Sequence, residues 1–180
     1  MKKITVFLIM AVFLMAAGVF AQSAQEKRVE FSTSASFTVY KFEHSSESTT
    51  LLNVPLRLGF FVWKGLEFEP EVEFTIPDDT EDTGVIFRGN ISYNFRASKK
   101  TFPFILAGGG VGNALKMLTW AADMDETVTV LNFGAGIKQM VGESAAIRLE
   151  YRFNRYSRSS DWASSYRIDH EFLAGVSLFF

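Results

Sequence analysis

Cysteine is absent from the 180 residues and histidine occurs only twice. Without thiols there is no disulfide framework, no thiolate metal site and no lipid-modified N-terminal cysteine. Two histidines leave little material for a catalytic or metal centre. A surplus of positive charge is also missing. Eighteen basic and 20 acidic residues give a formal net charge of -2, which excludes nucleic-acid binding through bulk positive charge. Beyond the N-terminus no apolar run is long enough for a membrane-spanning helix. What the chain does have is apolar bulk: 48% hydrophobic residues and 19 phenylalanines. That composition excludes an intrinsically disordered chain, and the length suits one domain.

The N-terminus reads as an address. Lys2 and Lys3 precede an apolar run from Ile4 to Phe20, and Val19-Phe20-Ala21 ends it in residues a signal peptidase accepts. Residues 1–21 are therefore expected to be a cleaved signal peptide, with 22–180 as the exported domain. The alternative, a membrane anchor helix, would need slightly more apolar length.

The remainder has a period of two. Leu52, Val54, Leu56, Leu58, Phe60 and Val62 alternate with Asn53, Pro55, Arg57, Gly59 and Phe61. Leu66, Phe68, Pro70, Val72, Phe74 and Ile76 alternate with four glutamates and Thr75. Such alternation marks strands with one apolar and one polar face. Eight strands are predicted, near 29–42, 51–62, 66–76, 85–96, 102–113, 127–138, 145–156 and 166–180. Most approach the length of a tilted membrane-crossing strand. Short turns alternate with longer polar loops, the pattern of an all-β, eight-stranded antiparallel up-and-down barrel with both termini at the short-turn end. Pro55 and Pro70 fall inside strands, where each must sit at a bulge or leave one carbonyl to be served by water or a side chain.

Alternation does not say which face points outward. A soluble ligand-binding barrel would turn its apolar face inward. Aromatics near strand ends (Phe60 and Trp63, Phe95 and Phe102, Tyr151 and Phe153) favour a transmembrane barrel, because membrane interfaces attract them.

The C-terminus adds a specific sign. Gly175, Leu178 and the terminal Phe180 resemble the β-signal by which bacterial outer-membrane barrels are recognised by their assembly machinery, although Leu173 stands where that pattern usually has a polar residue. Stretches such as Phe102–Gly112 and Ile147–Phe153 are also similar to the small outer-membrane β-barrel family, which includes OmpA-type transmembrane domains and OmpX-type proteins. The resemblance implies an eight-stranded barrel in a Gram-negative-type outer membrane with periplasmic termini. It implies outer-membrane lipids, lipopolysaccharide and the barrel-assembly machinery as partners. It does not imply one activity, because the fold hosts several. A structural or surface-interaction role for a monomer is the leading expectation. The alternatives are a narrow conduit for a small apolar molecule and, less favoured, a lipid-modifying enzyme.

Sites for chemistry are sparse, and no cofactor or metal is expected. Gly108, Gly109, Gly110 and Gly112 lack the Lys-Ser/Thr of a phosphate loop; glycine in a barrel strand more often admits a neighbour's side chain. His44, Ser45, Ser46 and Glu47 are consecutive loop residues, whereas triads converge from separate rigid elements. His170 reads as a membrane-rim imidazole. Asp78, Asp79, Glu81 and Asp82 lack calcium-loop spacing and read as a solvated run. Leu115, Leu118, Trp120 and Ala121 have helical spacing and suit a short surface helix or a partner patch.

The inward face is expected to be a charge network of Arg57, Glu67, Glu69, Glu71, Glu73, Arg88, Arg96, Lys138, Arg148, Glu150, Arg152, Arg167, Asp169 and Glu171. Seven cations would face seven carboxylates, because four glutamates on one strand need cations beside them. Centring the hairpin on residues 63–65 pairs Val62 with Leu66 and places Arg57 opposite Glu71.

Overall fold

The computed structural model describes residues 29–41, 48–77, 83–113, 127–158 and 166–180. The expected signal peptide, the His44–Glu47 cluster, the acidic run at 78–82 and the Leu115–Ala121 segment lie outside the described residues. Eight strands are described: β1 Val29–Lys41, β2 Ser48–Trp63, β3 Leu66–Pro77, β4 Gly84–Asn94, β5 Thr101–Asn113, β6 Thr127–Met140, β7 Ala145–Arg158 and β8 Tyr166–Phe179. Each pairs antiparallel with its sequence neighbours, and β1 pairs with β8, so the sheet is a closed up-and-down barrel. Closure leaves no free sheet edge around the short-turn half. There the terminal Phe180 is tied to the first strand, its N–H donating to the Val29 carbonyl and its carbonyl accepting from Val29 N–H.

The two faces divide as the alternation predicts. Phe68, Phe87, Ile91, Phe133 and Phe172 stand on the outer wall, while Glu67, Glu71, Arg88, Arg148 and Arg152 are buried inside. Trp63 and Phe95 are exposed at the short-turn rim, where Tyr93 meets Phe95 edge-on at 4.8 Å.

The β2–β3 hairpin corrects the expected turn. Its loop is Lys64-Gly65, with Gly65 at φ 80°, a left-handed conformation that favours glycine. Trp63 pairs with Leu66, and a bulge between Phe61 and Trp63 takes up Val62. Beyond the bulge Arg57 lies opposite Glu71, as expected.

Neither proline sits at a bulge. The β1–β2 ladder passes from Thr33–Leu56 to Ser36–Asn53, skipping Pro55, while Pro55 still pairs with Glu73 on its other side. The β2–β3 ladder likewise passes from Arg57–Glu71 to Phe60–Phe68, skipping Pro70, which pairs with Gly89. A ring nitrogen has no hydrogen to donate, so each ladder loses its bonds locally and keeps its register.

The glycines of β5 and β6 explain how bulk fits inside. A Cβ on Gly110 would lie 2.1 Å from the Phe87 carbonyl oxygen and 2.8 Å from Arg88 Cγ. A Cβ on Gly136 would lie 2.5 Å from the Phe104 ring. These positions are spaces for the side chains of the next strand.

Candidate functional site

Among the described residues, chemistry-bearing side chains converge in the interior. β3 projects four inward glutamates in a column, and cations reach them from β2, β4, β6 and β7. Glu71 is the hub. Its carboxylate accepts from Arg57 Nε at 2.7 Å, Arg88 Nη1 at 2.7 Å, Arg152 at 2.7 and 2.9 Å, and Asn90 Nδ2 at 3.2 Å. Arg88 also spans Glu73 at 2.5 and 3.0 Å and donates to the Tyr156 hydroxyl. Glu150 lies between Arg152 at 2.6 Å and Arg148 at 2.9 Å, with Arg57 at 3.6 Å. Arg148 reaches Glu69 at 3.0 Å and Glu30 at 3.5 Å. Lys138 completes the short-turn side, 2.6 Å from Glu30 and 2.9 Å from Glu67, where Ser92 and Asn94 also donate. Phe104 lies under the Arg148 guanidinium, 4.5 Å from ring centre to charge.

Two of these contacts cross the bore. In an eight-strand ring β3 and β7 are opposite walls, and Arg152–Glu71 and Arg148–Glu69 join them directly. Toward the long-loop end Ile86, Val130 and Tyr156 form a buried apolar cluster above the charges. The even alternation of polar residues did not announce that cap.

Eleven of the fourteen expected network residues are buried in the interior. Arg167 and Asp169 are partly exposed near the long-loop end of β8, paired with each other at 2.7 Å. Arg96 is a correction: β4 ends at Asn94, so position 96 falls in the exposed turn, where alternation no longer assigns a face. The sequence reading missed Glu30, although Glu30 alternates with the inward Ser32, Ser34 and Ser36. The buried tally among the described residues is thus five cations (Arg57, Arg88, Lys138, Arg148, Arg152) against seven carboxylates, not seven against seven. Glu171 is bound by neutral groups: Ser36 Oγ, Asn53 Nδ2 at 3.0 Å and Asn154 Nδ2 at 3.2 Å.

Elsewhere, His170 faces outward. Its Nδ1 is 2.6 Å from the Tyr151 hydroxyl, and its ring meets Phe153 edge-on. Of the C-terminal signal residues, Leu178 pairs with Phe31 and Ala145, and Gly175 with Ser34 and Arg148. A Cβ on Gly175 would lie 2.1 Å from the Thr33 carbonyl oxygen.

A closed eight-strand barrel with an apolar outer wall and a charged interior is a transmembrane architecture. The model of the outer membrane protein beta-barrel domain family matches residues 8–180, and the chain belongs to that family. No curated protein sequence matches it significantly. Among solved structures it is similar to neisserial surface protein A, with 15% identity over 84% of this chain and 95% of that one and a TM-score of 0.58. It is similar also to the N-terminal β-barrel domain of Pseudomonas aeruginosa OprF, with 16% identity, 87% and 100% coverage and a TM-score of 0.56. A de novo designed transmembrane β-barrel matches at 12% identity, 87% and 98% coverage and a TM-score of 0.50. At these identities the likeness is one of fold.

Proposed function

We propose that this barrel is a monomeric structural or surface-interaction protein of the outer membrane, its interior plugged by the charge network. The observation that carries the reading is the pair of ion contacts across the bore, Arg152–Glu71 and Arg148–Glu69. Side chains that meet across the full diameter leave no room for a wide aqueous path, and an eight-strand barrel has little room to begin with. Function then falls to what the membrane and the surface see: the outer-wall aromatics toward lipid, and the long-loop end of the barrel toward lipopolysaccharide and the outside. The first and last described residues, Val29 and Phe180, stand at the short-turn end, which faces the periplasm in this reading. The C-terminal strand is the handle for the assembly machinery. No catalytic role is proposed for His170, whose described partners are rim aromatics.

Planar-bilayer recording tests the plug. The folded protein should show no porin-scale conductance; stable openings of that size would overturn the plugged reading and favour a conduit. Cell fractionation with heat-modifiable gel migration tests the placement, and recovery of the native protein in the soluble periplasm would end it.

A further inference from the structure

The seam that closes the barrel is short. β1 and β8 pair over six residues, from Glu30–Phe179 to Ala35–Ala174. Both strands continue past that point, β1 along β2 to Lys41 and β8 along β7 from Tyr166. The other neighbouring strands are joined over at least ten pairs. The two hairpins therefore part at Ser36 and Leu173. Seven residues at about 3.4 Å, tilted by about 40°, put this point roughly 18 Å above the short-turn rim, within an apolar band about 25 Å tall. Unpaired backbone at that depth is costly without a polar partner.

A groove of about 710 Å³ starts at the same place on the outer wall. It runs over the backbone of Ser36, Leu173, Glu150 and Gly136, whose positions point inward, across β1, β8, β7 and β6, which the strand registers align. Phe37 and Phe172 wall it, and the small Ala174 lets its floor sink. Three strand spacings of about 4.8 Å make it roughly 14 Å long. Just inside the parting, Glu171 has three neutral donors and, among the described residues, no cation at ion-pair distance; Arg152, its cross-strand partner on β7, is engaged by Glu71 and Glu150. Asn154 beside it is buried and leaves its Oδ1 without a donor. Among the described residues the interior has two more buried carboxylates than cations.

We infer that the β1–β8 parting and the adjoining groove form a binding site for a long-chain primary amine. The ammonium enters between Ser36 and Leu173 to donate to Glu171 and Asn154, and the alkyl chain lies in the groove. Charge selects the head: the site offers acceptors and negative charge, so a fatty acid with the same tail is excluded. The inference goes beyond the structural role above and does not depend on the plug.

The test is NMR of the folded protein in phosphatidylcholine nanodiscs, which contain no primary amine, titrated with dodecylamine. Saturable shifts are expected at the Ala35, Phe37, Phe172 and Ala174 amides. Glu171→Gln keeps the side-chain shape and should weaken binding about tenfold, the scale of one charged hydrogen bond. Ala174→Phe fills the groove and should weaken it independently. The ligand is a free amphiphile: phosphatidylethanolamine nanodiscs, whose amine is tied to a phosphate, should leave the same amides unshifted without added amine, and shifts there would overturn the assignment. Equal shifts with dodecanoate, or unchanged dodecylamine affinity in Glu171→Gln, would overturn the assignment.

Discussion

The two faces of β3 obey different rules. Outward, Phe68, Val72 and Phe74 meet lipid or a neighbour's apolar side chain; inward, Glu67, Glu69, Glu71 and Glu73 are almost wholly buried. Lipid is as apolar as the residues that face it, so the outer face asks only for apolar character of roughly the right size. The inner face is directional. A buried ion pair adds little net stability over a packed apolar pair, but removing one member leaves an uncompensated charge. A soluble domain has the reverse arrangement, with its tolerant face in water and its exacting face apolar.

The sharpest break in this contrast is Phe180. It lies on the tolerant outer parity, yet its backbone closes the barrel against Val29. Deleting Phe180, or replacing it by Ser, is expected to abolish assembly, with the chain degraded in the periplasm. Immunoblotting of outer-membrane fractions for the heat-modifiable form checks this, and wild-type amounts of folded barrel would refute the signal assignment. Inside, Glu71→Ala should have the largest thermodynamic effect. It removes the carboxylate that Arg57, Arg88 and Arg152 share, leaving them only Glu73 and Glu150, and the expected loss is about 3–5 kcal/mol, less where water enters. Urea unfolding in lipid vesicles measures it.

How much of this was legible depended on distance along the chain. Period two located every strand, and the β2–β3 register gave Arg57 opposite Glu71 although the turn itself was misplaced. The bulge at Val62 explains both results, because it shifts the pairing only between itself and the turn. Arg96 was misassigned because a face is defined only while the strand lasts. Contacts such as Arg152–Glu71 join residues 81 apart on opposite walls. Nothing local encodes which cation meets which glutamate. The even charge count became five against seven among the described residues for other reasons: Arg96 lies past its strand, Arg167 and Asp169 are partly exposed, and Glu30 joins the interior. The apolar cap of Ile86, Val130 and Tyr156 was hidden for a related reason. A strand's inner face was read from its majority, and its long-loop end differs.

On the outer wall the contrast predicts dependence on polarity and indifference to shape. Phe133 lies mid-strand on β6, exposed and paired with Ala107 and Phe153. Phe133→Leu should stay within about 1.5 kcal/mol of wild type. Phe133→Arg should cost about 2–4 kcal/mol if the position is near the bilayer midplane. The same vesicle-based unfolding compares the two, and equal costs would mean that this wall does not face lipid.

The smallest effect sharpens the comparison most, because it uses one methyl group on each face. Gly110 lies inward, and an added Cβ there would meet the Phe87 carbonyl oxygen at 2.1 Å and Arg88 Cγ at 2.8 Å. The backbone contact has no flexible end to swing away, so the strand must shift, and Arg88 with it. Gly110→Ala is expected to cost about 1–3 kcal/mol, the range of overpacking. Gly89 lies outward on β4, directly opposite Gly109, and its added Cβ would meet only Phe68 at an ordinary 3.7 Å. Gly89→Ala should therefore fall within about 0.5 kcal/mol of wild type. Unfolding midpoints of the two variants, taken at equal slope, decide it. If Gly110→Ala matched Gly89→Ala, the glycines of β5 would not be the space that admits Arg88.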